Sequence, residues 1–160
     1  MVQKDITAAF ERLAPLAARL NEESDTLNDL IEEVEAKIRK LNVGLTVWLE
    51  RPLARVDEPP TNGQWGELQH HSEVQLGVAK IRGRWKLVIR RQHVELGLYQ
   101  GDPDCPWTKR YDIGELEPLL EAPRDYRVEA VRVLPELLAQ LADRAESAVR
   151  TIRRAQNNPA

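Results

Sequence analysis

The sequence predicts an α+β fold: long amphipathic helices at the two ends, packed antiparallel and flanking a small antiparallel sheet of about three to five strands. Two observations carry that prediction. The first is a pair of apolar seams. Ile6, Phe10, Leu13, Ala17, Leu20, Ser24, Leu27, Ile31, Val34, Ile38 and Leu41 recur at alternating spacings of four and three. Val131, Leu134, Leu138, Leu141, Ala145, Ala148, Ile152 and Ala155 do the same near the other end. A sustained seven-residue repeat of this kind marks helices that pack along their length on other helices. The second is a central segment in which apolar residues alternate with polar ones and are punctuated by turn formers.

The first helix is expected over residues 5–41, and Pro15 is expected to kink it because proline removes a backbone donor and crowds the preceding turn. Ser24 is the one polar seam position, and the acidic residues from Glu22 to Glu35 lie off the seam on a solvated face. Asn42 and Gly44 end the helix. Val43 to Glu50 then alternates as a strand, and the Pro- and Gly-rich stretch Arg51 to Gly66 reads as a long loop. Between Glu73 and Gln92 the pattern is that of a hairpin. With Arg82-Gly83-Arg84 as its loop, Ile81 faces Trp85 and Lys80 faces Lys86. Further strands are expected over His93 to Tyr99 and Trp107 to Tyr111, separated by a turn at Gln100 to Pro106. A short helix is expected over 115–121. The last helix takes 124–156, with Pro135 inside it, and the tail from Asn157 to Ala160 is expected to fray.

The chain has 160 residues, 42% hydrophobic and 31% charged, which suits one folded domain spanning 1–160 with a β-head at 43–111. A net charge of −3 gives no general attraction to nucleic acid or anionic membrane. The lone Cys105 cannot form a disulfide within the chain, and no apolar run approaches membrane-spanning length. These features predict a cytoplasmic protein with no membrane association. Residues 1–42 carry six basic and nine acidic groups, whereas 123–160 carry seven basic and five acidic, so the two helices attract weakly. The stripes are wider than a two-helix hairpin needs. The sequence therefore predicts a coiled-coil-like homodimer, with Leu20, Leu27, Ile31, Val34, Leu134, Leu138 and Leu141 as the packing residues.

Candidate chemistry is sparse. Six cations, Lys80, Arg82, Arg84, Lys86, Arg90 and Arg91, fall within twelve residues without an intervening acid. Lys80, Lys86 and Arg90 are placed on one hairpin face, with Arg82 and Arg84 at the tip, where they could meet phosphates. Such cations also serve simply to keep an edge strand solvated. Trp48 and Trp85 are expected in the core, while Trp65 and Trp107 follow loop residues and suit a partner-binding surface. His70 and His71 are adjacent and point to opposite faces of a strand, and with only His93 and Cys105 to join them no zinc-type spacing results. Asp102 and Asp104 lack the rest of a calcium loop. Asp104 beside Cys105 disfavours a thiolate nucleophile. No catalytic, cofactor-binding or metal residues are predicted. The expected function is a non-enzymatic scaffold or regulatory protein, a helix-mediated dimer presenting its β-head to a protein partner through Trp65, Lys80, Arg82, Arg84, Lys86 and Trp107. The second expectation is a nucleic-acid-binding module using the hairpin 80–91.

Overall fold

The computed structural model describes residues 2–157; of the tail expected to fray, Asn157 is the last residue of the second long helix, and 158–160 lie outside the described residues. Helix α1 runs from Val2 to Leu41, strands β1 to β5 follow at Val47–Trp48, Ala54–Gly63, Gly66–Ile81, Arg84–Leu98 and Pro106–Pro118, and helix α2 takes Arg124–Asn157. Single 3₁₀ turns occupy Tyr99–Gly101 and Leu119–Glu121. The architecture is α+β, with two helices flanking a five-stranded antiparallel sheet. In the sheet β3 pairs with β4 and β4 with β5, while β1 and β2 share the outer edge of β3.

The register of the long β3–β4 hairpin differs from the expected one by a single residue. Its loop is the two-residue turn Arg82-Gly83, with both φ angles positive at 49° and 79°. Ile81 therefore pairs with Arg84, Lys80 with Trp85, Val78 with Leu87 and Leu76 with Ile89. A two-residue turn with both φ angles positive matches the right-handed twist of the strands, and Gly83 supplies one of those positions without strain. The slip puts Val74, Leu76, Val78, Leu87 and Ile89 on one face, where they are buried with Ile31 and Ile38 of α1 and Ala130, Leu134 and Leu137 of α2. Trp85 packs against this core beside Lys80.

Other expectations are corrected by the packing. The Val43–Glu50 strand shrinks to Val47–Trp48, and Val43 and Leu45 contact the core from the connector instead. The expected loop from Arg51 to Gly66 is mostly strand β2, which continues through Pro59-Pro60 because its ladder with β3 is interrupted between Glu58 and Thr61. On an edge strand, at a break in the pairing, the missing proline donors cost little. The expected strand after Gln92 is the continuation of β4, and the short helix at 115–121 is instead the end of β5 and the 3₁₀ turn. Both long helices continue through their prolines, as expected of single helices with Pro15 and Pro135 inside them.

The helices share the core around Ile31 and Leu134, and Arg127 donates to Asn28 Oδ1 between them. Every residue of α1 from Val2 to Glu23 is exposed. Where α1 crosses the sheet, it does the work of a missing strand. The β4–β5 ladder ends at Val88 and Pro118, leaving the Leu87 N–H without a partner strand. Glu35 Oε1 accepts that N–H at 3.0 Å. Glu35 is only 4% exposed, and burial raises its pKa above the ordinary value of 4.5, opposed by the Leu87 N–H, Lys86 and Arg39.

An acid whose folded pKa is raised binds its proton more tightly in the folded state. Its contribution to stability is full below about pH 4.5 and declines as pH rises through the folded value. Glu35→Gln keeps the carbonyl acceptor, so urea titrations of this variant should show that downward slope abolished and stability retained at pH 7. Glu35→Ala strands the Leu87 N–H and should cost about 1–3 kcal/mol. Equal stability of the alanine variant and the wild type would remove the carboxylate from its capping role.

Candidate functional site

β3 is 16 residues long, about 50 Å at roughly 3.3 Å per residue. The core uses its C-terminal half, and the N-terminal half carries the sheet away from that core as a distal lobe. Alternation and register dictate what the helix-side face of that lobe presents. Glu58 lies opposite His70, which lies opposite Glu95, which lies opposite Lys109; one row inward, Ser72 lies opposite His93 and His93 opposite Tyr111.

These residues converge. His70 Nδ1 stands 3.2 Å from His93 Nε2, with the two rings stacked at 5.3 Å between centroids. Glu95 Oε1 lies 3.9 Å from His93 Nε2. The remaining polar atom of each residue is held from outside. Thr61 Oγ1 is 2.6 Å from His70 Nε2, Glu58 Oε2 is 3.5 Å from His93 Nδ1, and the Tyr111 hydroxyl donates to Glu95 Oε2 at 3.4 Å. Ser72 donates to the other Glu58 oxygen; that bond, and then His93, hold the Glu58 carboxyl below its ordinary pKa. The nearer carboxylate, Glu58, favours the tautomer of His93 with its proton on Nδ1, in which Nε2 is an acceptor. Sequence reasoning missed this group. Its signal was the two-residue turn: folding back at Arg82-Gly83 makes His70 and His93 diagonal neighbours on one face.

Next to it, at the tip, Trp65, Leu68, Leu98, Tyr99 and Trp107 line a mostly apolar groove of about 510 Å³, with Glu95 and Lys109 on its rim. Trp107 lies so close over Gly97 that a Cβ there would come within 2.5 Å of the indole. Lys109 Nζ sits 5.4 Å from the Trp107 ring centre, a cation–π contact. Trp65 is 50% exposed in the β2–β3 turn. Thus the two tryptophans expected at a partner surface, distant in sequence, share one groove. Cys105 is exposed in the turn before β5, remote from His70 and His93 in the ladder. Asp102 accepts the Asp104 N–H at 2.9 Å, which makes it a turn former.

The cations do not join this groove. Lys80, Arg82 and Arg84 are exposed at the opposite end of the hairpin. Because of the register, Lys80 lies on the helix side, whereas Lys86 and Arg90 lie on the other face, so the expected single basic face is divided. Arg90 stacks 4.1 Å over Trp48 and donates to Gln75, and Arg91 pairs with Glu117 at 2.6 Å. Glu115, Glu117 and Glu121 share a groove with Arg82, Arg84 and Lys86.

The face away from the helices carries a polar network. Arg110 donates to the buried Glu73, and Gln92 donates to Asp112 at 2.7 Å. His71 lies here with Glu73, buried, its pKa lowered by burial and by Arg55 and Arg110. Gly77 admits Trp48 onto this face at a distance no side chain would allow.

Of the helix residues expected to mediate dimerisation, Leu27, Ile31, Val34, Leu134 and Leu141 belong to the chain's own core, whereas Leu20 and Leu138 are 49% and 37% exposed. No protein-family model matches this chain, and no curated protein or solved structure matches it. No helix among the described residues is long and apolar enough to cross a membrane.

The groove depends on Gly97. Gly97→Ala should push Trp107 off β4, displacing its indole N–H resonance in a ¹H–¹⁵N spectrum and costing about 1–3 kcal/mol through overpacking. An unmoved resonance and an unchanged melting temperature would show that Trp107 is not seated as described.

Proposed function

We propose that this chain is a non-enzymatic interaction protein that assembles into a homodimer through α1 and presents its β-head to a macromolecular partner. One observation carries the reading. Ile6, Phe10, Leu13, Leu16 and Leu20 are each 49–65% exposed, along the half of α1 that has no partner among the described residues. A helix of about twenty residues with one apolar face is marginal alone in water and gains its stability from packing that face. A second copy fits the face for two reasons. The spacing of four and three continues the seam that α1 already uses inside its own chain. Residues 2–20 carry three basic and two acidic groups, so like-charge repulsion does not oppose self-association.

The aromatic groove of the distal lobe suits an apolar anchor from the partner, because Trp65 and Trp107 supply large contact area at small entropic cost. The nucleic-acid reading is weaker. Glu115 and Glu121 share the groove of the hairpin-tip cations, Arg91 is paired there with Glu117, and Arg90 is engaged by Trp48 and Gln75, which leaves little net charge to release counterions from a phosphate backbone.

Sedimentation equilibrium tests the assembly. Wild-type protein at tens of micromolar should have twice the chain mass. Phe10→Asp with Leu13→Asp should be monomeric, with the helical signal of the outer half of α1 lost. The same core melting transition should remain, since neither residue touches the core. A monomeric wild type, or a double variant that still dimerises, would overturn the reading. Anisotropy titrations with labelled single- and double-stranded oligonucleotides at low salt should show only weak binding. If it is tight and abolished by Lys80→Glu, Arg82→Glu and Arg84→Glu together, the hairpin becomes the functional surface instead.

A further inference from the structure

We propose that His70, His93 and Glu95 form a site for a divalent transition-metal ion of the zinc class. Their donor atoms all lie within 4.8 Å of one another. Two nitrogens bound to one tetrahedral ion at about 2.0–2.1 Å stand about 3.3 Å apart. His70 Nδ1 and His93 Nε2 are 3.2 Å apart, and Glu95 Oε1, at 3.9 Å from the latter, needs only a small turn of its carboxylate to close the set.

The surroundings strengthen the assignment, because each candidate ligand is oriented through its other polar atom. Glu58 takes the Nδ1–H of His93, the carboxylate–histidine arrangement that fixes tautomer and raises ligand basicity at metal sites. Thr61 Oγ1 holds His70 Nε2; in the tautomer with the proton on Nε2 the hydroxyl accepts that N–H and Nδ1 is free for the ion. Tyr111 holds Glu95 Oε2. Two histidines and one carboxylate leave a fourth position to water or an incoming donor, a donor set that zinc accepts. The ligands come from β3 and β4 of one chain, joined by thirteen registered pairs, so the site needs neither the dimer nor a partner.

A hydrogen-bonded imidazole pair could share the same 3.2 Å contact with no ion, and titration separates the two. Full-length protein, stripped with chelator, is titrated with Zn²⁺ by calorimetry and with Co²⁺ by visible absorption. The expected result is one ion per chain at micromolar affinity or tighter, with cobalt ligand-field bands of a low-coordinate site. His70→Ala and His93→Ala should each weaken binding at least 100-fold, and Glu58→Gln about 10- to 100-fold with the ligands intact. Cys105→Ser should leave it unchanged. Neither histidine belongs to the hydrophobic core, so their variants should melt close to the wild type without metal. The Phe10→Asp, Leu13→Asp variant should bind equally well, which keeps this test separate from that of assembly. Absence of cobalt bands and of zinc heat up to millimolar metal, or binding that survives in the double histidine variant, would overturn the site.

Discussion

The constraint on which the rest of this structure depends is the two-residue turn at Arg82-Gly83. Side chains on a strand alternate with a period of two, so a hairpin shifted by one residue exchanges the faces of one strand relative to its partner. With this turn, Val78 meets Leu87 and Leu76 meets Ile89, and both pairs point at the helices. The same register acts at a distance. Because the ladder holds from Ile81 to Gln69, it also decides which histidine meets His93, although that row stands some ten residues from the turn.

The sheet is unusual in serving two unlike environments along one face. Near the turn it is hydrophobic and covered by both helices. Further along, Val74 and Arg91 mark the transition, and beyond them the face carries Ser72, His70, His93 and Glu95. The hydrophobic half supplies burial, and the polar half inherits the rigidity of strands anchored there. This is a sound way to hold titratable groups in place, because their positions are set by main-chain pairing and not by a loop.

Much of the fold was legible in the sequence, and the reason differs between its parts. The helices were readable because a seven-residue repeat needs no knowledge of the partner, only of period. Their partners were not: Leu27, Ile31 and Val34 look alike whether they face the sheet, the other helix or a second chain. β2 was obscured by Pro59-Pro60, which argue against a strand everywhere except on an edge at a break in pairing. The distal site was obscured by arithmetic. Reading the loop as three residues would set His71 opposite Glu95, whereas the two-residue turn sets His70 there and sends His71 to the other face with Glu73. The shared groove of Trp65 and Trp107 could not be read at all, since it arises from two turns that meet only after β4 and β5 have paired.

The prolines of β2 have a consequence for what can attach to the sheet. A strand edge is a template, and another chain extends it by matching N–H and C=O groups in turn. At residues 59 and 60 two successive N–H groups are absent, and because successive groups alternate in direction, one of them is missing from the outer edge of the lobe. A strand approaching from that side would find its row of partners broken at the centre. The opposite edge, β5, keeps its donors but sets Lys109, Arg110 and Asp112 along them. Growth of the sheet into a fibre is thus blocked by a gap in hydrogen bonding on one side and discouraged by charge on the other. A lobe that projects from its helices with a broad polar face can stay in solution as a discrete body.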